Sequence, residues 1–118
     1  MAHEVTVQDI ADSLSLEVLA GVAELGRSVT GGYTSDLLSR VMAQAQAGNV
    51  WVTMQGHPNV VAVASLLDLA AVIVAEDSPV EEMSKTRADE RGVPLLITPH
   101  DSFTVVAKLV ELGIAGTC

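Results

Sequence analysis

The sequence predicts an α/β fold: a single domain with a mostly parallel sheet and helices on its faces. Three observations lead there. From residue 36 onward, apolar residues at helical spacing alternate with short β-branched runs, the pattern of strand–helix–strand units. The runs "NVWVTM", "AVIVA" and "PLLIT" are mostly apolar, as in strands covered on both faces. Finally, the chain has 118 residues, 49% of them apolar, yet Trp51, Tyr33 and Phe103 are its only aromatic residues, so one core of Val, Leu, Ile and Ala is expected.

Each element has its own local signal. Residues 6–14 place Val7, Ile10, Ala11 and Leu14 on one side of a short opening helix, with Thr6 and Asp9 as its capping box. "LEVLAG" reads as a strand ended by Gly21, and "SVTGGYTS" as a weaker one whose paired glycines mark a bulge or a close backbone approach. A helix over 36–47 stops at Gly48, strand "NVWVTM" follows, and a helix over 58–70 opens just after the "QGHPN" turn. Beyond "AVIVA", Ser78, Pro79 and Glu81 supply the N-cap, the N1 proline and the N3 carboxylate of a third helix, which Gly92 terminates. "PLLIT" then leads through "PHD" to a last helix over 102–112, closed by Gly113. Right-handed crossovers between parallel strands are expected.

Charge narrows the partners. Fifteen acidic residues against six basic ones give a net charge of −9, which repels nucleic acid backbones and anionic membrane surfaces. The longest apolar stretch, 60–75, is broken by Ser65 and Asp68 and is too short to span a bilayer. "MAHEVTVQD" lacks the basic-then-apolar pattern of a signal peptide, and Cys118 is the only cysteine, so the expectation is a cytoplasmic, disulfide-free protein in which that thiol is incidental.

In an open parallel sheet, ligands lie beyond the carboxyl ends of the strands, at a switch in strand order. Three predicted loops end there, over 31–36, 55–59 and 98–102, and each precedes a helix whose first amides can meet an anion. The candidate ligand-binding residues are Gly31, Gly32, Thr34, Ser35, Gln55, His57, Asn59, Thr98 and Ser102. Their competing reading is structural: Asp, Ser, Asn and Pro at helix starts serve as caps, glycine pairs satisfy unusual backbone, and Asp36 and Asp101 would occupy the dipole ends an anion wants. His57, His100, Asp36 and Asp101 match no metal-ligand spacing, so no metal or cofactor is expected. The chain has neither a G-x-S-x-G elbow nor a positioned base for Cys118, and no catalytic residue is assigned.

The order "VQDIADSLSLEVLAG", "RSVTGGYTSDLL", "GNVWVTMQGHPNVVAVA" and "AVIVAEDSPVEEMSKTRADERGVPLLITPHDSFTVVAKL" resembles the DRTGG domain family across nearly the full chain. Arg27, Thr30, Gly31 and Gly32 match the naming letters, while Gly26 stands in place of the aspartate. The closing pattern is also similar to the N-terminal domain of HPr kinase/phosphorylase and to a middle domain of some phosphotransacetylases. The resemblance implies a regulatory or assembly module, with an accessory or enzyme of HPr serine kinase-type phosphotransfer as the alternative. Phosphoryl transfer, however, needs a phosphate cradle, and the chain has no G-x-x-x-x-G-K-[ST]; Lys85 and Lys108 fall within predicted helices. The expectation is a non-catalytic module that senses a small anionic, nucleotide-like effector or mediates assembly, as a homo-oligomer or with an unidentified protein partner.

Overall fold

Residues 4–116 of the computed structural model are described, and Cys118 lies outside them. The elements are α1 (Val7–Leu14), β1 (Glu17–Ala20), a 3-10 turn (Val22–Glu24), β2 (Gly31–Thr34), α2 (Leu38–Gln44), β3 (Asn49–Thr53), α3 (Pro58–Leu66), β4 (Ala71–Val74), α4 (Glu82–Arg91), β5 (Leu95–Ile97) and α5 (Ser102–Glu111). They build one sheet of order β1-β5-β4-β3-β2, in which β2 to β5 are parallel and β1 pairs antiparallel with β5. The mostly parallel α/β fold expected from the sequence is the one observed.

Every crossover from β2 to β5 steps in the same direction. Right-handed connections therefore put α2, α3 and α4 on one face and leave the other to α1 and α5. The two cores follow that division. Val41, Val60, Val61 and Ala88 close over Trp51, Val72, Val74 and Leu95 on one side. Ile10, Leu14, Val105 and Leu109 close over Val50, Val52, Ile73 and Leu96 on the other. Successive residues of β3 and β4 thus serve opposite layers, which is why Val50–Val52 and Ala71–Val74 are apolar at every position.

Local signals account for most boundaries. Thr6 and Asp9 form the reciprocal capping box of α1, with bonds of 3.1 and 2.9 Å. Gly92 and Gly113 take left-handed backbone (φ 67° and 93°) at the ends of α4 and α5. Three helices start or stop elsewhere than the sequence predicts. Asp36 is drawn to the end of β3, so α2 starts at Leu38, and it ends at Gln44. Helix α3 ends at Leu66 because Asp68 turns left-handed (φ 58°). The third predicted helix does not begin at Ser78: Val80 makes a parallel bridge to Gly56, the Glu81 amide donates to the Gly56 carbonyl at 3.1 Å, and α4 starts only at Glu82. There, extended pairing to the neighbouring loop outcompetes a local cap.

After α5 the chain returns along the outer edge of β2. Ile114 is buried in the core, the Gly32 amide donates to the Ala115 carbonyl at 2.8 Å, and Gly116 bridges Gly32 in parallel.

Candidate functional site

The nine candidate residues divide between two ends of the sheet. Thr34, Ser35, Gln55, His57, Asn59, Thr98 and Ser102 surround the carboxyl ends of β2, β3 and β5. Gly31 and Gly32 open β2 instead, and at ~3.3 Å per residue Gly31 lies ~10 Å from Thr34. Strand order from β2 to β5 is monotonic, so no reversal opens a crevice between those strand ends.

The carboxyl end is tied together by the chain's own groups. Asp36 Oδ1 accepts from the Thr53 hydroxyl and the Met54 amide, both at 2.7 Å, and Gln55 Nε2 donates to the Asp36 carbonyl at 2.8 Å. The Ser35 carbonyl accepts from the Trp51 indole (2.9 Å) and its hydroxyl oxygen accepts from the Leu37 amide, while the Thr34 hydroxyl donates to the Val52 carbonyl. His57 Nδ1 accepts from the Asn59 amide at 3.0 Å and so caps α3. The Thr98 hydroxyl, buried, accepts from the His100 amide. The Ser102 amide donates to Glu76 Oε2 at 2.8 Å, and Asp101 caps α5 by accepting from Thr104. The Thr104 hydroxyl bond is the main cause holding the exposed Asp101 carboxyl below its ordinary 3.8, opposed by desolvation and assisted by backbone amides.

These bonds have a chemical consequence. Amides of Met54, Ser102 and Thr104, which an anion would seek, already serve carboxylates, so the end of the sheet is acidic. No three His, Cys, Asp or Glu among the described residues converge to hold a metal. Sequence reasoning missed Glu76, whose left-handed backbone (φ 67°), shared with Asp77 (φ 54°), has no local signature. It also missed Ser84, a buried hydroxyl on the Gly56 carbonyl at 2.7 Å.

The glycine pair and its neighbours work at the other end. Arg27 Nη2 donates to the Asp68 carbonyl at 2.8 Å and Nη1 meets the Asp68 carboxylate at 2.9 Å, fixing the turn into β4. The Thr30 hydroxyl donates to the Ala47 carbonyl at 2.9 Å, fixing the turn into β3. Gly31 and Gly32 admit the returning chain: a Cβ on Gly31 would stand 3.0 Å from the Ala115 carbonyl oxygen, and one on Gly32 3.2 Å from the Ile114 methyl. Neither has positive φ, so of the two roles the sequence offers, close approach is the one observed. Two hollows flank that contact. An apolar one of about 340 Å³ lies between β2 and α5 and is lined by Val52, Val106, Leu109 and Val110; a polar one of about 400 Å³ is lined by Thr30, Gly31, Gln46 and Asn49.

Together these features define a three-layer α/β domain: a parallel sheet with one antiparallel edge, whose loops are bound to each other. The DRTGG domain family matches residues 9–112, and the chain belongs to that family. Its fold is similar to the crystal structure of the CBS and DRTGG domains of the regulatory region of Clostridium perfringens pyrophosphatase, solved with the activator diadenosine tetraphosphate. The TM-score is 0.73 at 18% identity, over 90% of this chain and 46% of the other, so the chain spans about half the length of that structure. No curated protein matches.

Proposed function

We propose that the chain is a non-catalytic regulatory module whose output is protein contact, self-association included. The observation that carries this reading is the carboxyl end itself, where the amides suited to an anion are bonded to Asp36, Glu76 and Asp101. The apolar hollow between β2 and α5, with Val110 61% exposed, supports self-association because it leaves apolar surface to be covered. Sedimentation over a hundredfold dilution tests it. A mass that rises with concentration, and that Val110→Asp returns to the monomer, is expected; a strict monomer throughout sinks self-association.

A second reading, sensing of a nucleotide-like anion, is favoured by the activator bound to the similar pyrophosphatase region and by the polar hollow at Thr30, Gly31 and Asn49. Thermal shift with adenine mono- and polyphosphates and with diadenosine tetraphosphate separates the two. No shift at millimolar nucleotide is expected; a rise of several degrees puts sensing first. Label transfer from ATP to HPr or general protein substrates is expected to be absent, because the chain lacks the phosphate cradle.

A further inference from the structure

Helix α5 carries apolar side chains on two sides. Val105 and Leu109 face the core, while Phe103, Val106, Ala107 and Val110 recur every three or four residues along the outer side, where helical geometry makes them neighbours in one stripe. Phe103 is 84% exposed and Val110 61%. A helix that is apolar on both sides needs cover on both. The stripe borders the apolar hollow of about 340 Å³ through Val106 and Val110. That hollow exists because β2 brings no large side chain to it. An added Cβ on Gly32 would meet the Ile114 and Val50 methyls, so Gly32 faces the α5 layer, and Thr34, two residues on, shares that face. The floor is the core itself: Val52, Leu109 and Ile114 are 1%, 3% and 7% exposed, so a projecting group reaches them and a flat surface does not.

We propose that a second copy of the chain fills this hollow with its Phe103, in a two-fold pair of antiparallel α5 helices. The inference rests on the reading of the chain as a self-associating contact module and names the surface and its register. Phe103 lies as far before the midpoint of Val106 and Ala107 as Val110 lies after it, so a two-fold axis there sets each Phe103 against Val110 and the hollow of the other copy. The midpoint itself falls on the stripe, so the helices touch along it. Charge agrees with this occupant. The net charge of −9 makes two copies repel in general, whereas the stripe holds no charged residue and α5 as a whole only Lys108 and Glu111, which cancel. An aromatic side chain seated in a pocket with a core floor is also the kind of anchor that dominates an interface.

The test is complementation, read by sedimentation of the whole chain over a hundredfold dilution. Phe103→Lys and Val110→Asp, both at exposed positions, should each weaken the dimer about tenfold or more, and Phe103→Ala, which adds no charge, should weaken it as well. Mixed in equal amounts, Phe103→Lys and Val110→Asp should recover the dimer mass. Antiparallel pairing then places the new lysine opposite the new aspartate at one end and the native Phe103 and Val110 together at the other. Leu66→Ser, on α3 across the sheet, should change the dimer less than about twofold. Unfolding followed by the buried Trp51 is expected to give each variant the midpoint of the monomeric parent, so that lost assembly is not lost folding. A dimer that both Phe103 variants leave intact overturns this pairing and leaves self-association standing through another surface. So does a dimer that the single variants split and their mixture does not restore. A parent that stays monomeric throughout gives the hollow to another occupant and overturns both the pairing and self-association.

Discussion

Arg27 holds Asp68 twice, by its carboxylate at 2.9 Å and by its backbone carbonyl at 2.8 Å, and the same carbonyl also accepts from the Gly48 amide at 2.9 Å. One guanidinium thus joins the turns that feed β3 and β4. The ion-pair half is solvent-screened, since the Asp68 side chain is 72% exposed, whereas the carbonyl bond secures a residue in left-handed backbone. Arg27→Gln is expected to cost ~1–2 kcal/mol and Asp68→Asn under ~1 kcal/mol. Denaturant unfolding followed by the buried Trp51 measures both. The reverse order would mean that the charge pair dominates.

The signature "RSVTGG" also makes a prediction about its departing letter. Gly26 has no neighbour within 4 Å of an added Cβ and no positive φ, so Gly26→Asp should stay within ~0.5 kcal/mol of the parent. Gly48 is the opposite case, with φ 82° and an added Cβ only 2.7 Å from Thr30 Oγ1 and Cγ2. Gly48→Ala should cost ~1–3 kcal/mol and disturb the Thr30 bond to Ala47. A neutral Gly48→Ala, seen as an unchanged denaturant midpoint, would show that the turn into β3 is free to move.

Strand and helix identity was legible because burial on both faces leaves a direct imprint in runs such as "AVIVA", and because the Thr6–Asp9 box and Gly92 act within a few residues of themselves. The start of α4 was not, since Val80 answers to Gly56, twenty-four residues away, and no local motif records that pairing. The same holds at the candidate site. Seven of its residues lie at the carboxyl end of the sheet, where counting strand ends puts them, but Asp36 and Glu76 take up the amides through contacts of eighteen and twenty-six residues' separation. Gly31 and Gly32 lie in the weak strand that "SVTGGYTS" predicts and not in the carboxyl-end loop also expected over 31–36, and their neighbour, Ala115, comes from the far end of the chain.

Asp101 gives a prediction in pH. Its folded carboxyl lies below 3.8, chiefly through the Thr104 hydroxyl. A depressed acid contributes stability that is fully present above its unfolded value and is lost as pH falls through the folded one. The melting temperature of the parent should therefore fall more steeply below about pH 4 than that of Asp101→Asn, and the two curves should run parallel above about pH 5. Parallel curves throughout would remove Asp101 from the acid response.

The glycine pair supplies the sharpest comparison, because its two members face different neighbours. An alanine methyl at 31 would press on the Ala115 carbonyl oxygen at 3.0 Å and the Asn49 Nδ2 at 3.2 Å, and that same oxygen accepts from the Gly32 amide at 2.8 Å. Backbone oxygen cannot rotate away, so the methyl displaces it and weakens the bond. At 32 the methyl meets the Ile114 Cγ2 at 3.2 Å, a side-chain end that can yield. Gly31→Ala is therefore expected to cost ~1–3 kcal/mol and Gly32→Ala less. Hydrogen exchange reads the cause: the Gly32 amide should exchange faster in Gly31→Ala than in the parent, with the β3 and β4 amides unchanged. If both substitutions proved neutral while nucleotide binding by the parent was detected and lost, the pair would belong to a ligand rather than to the returning chain.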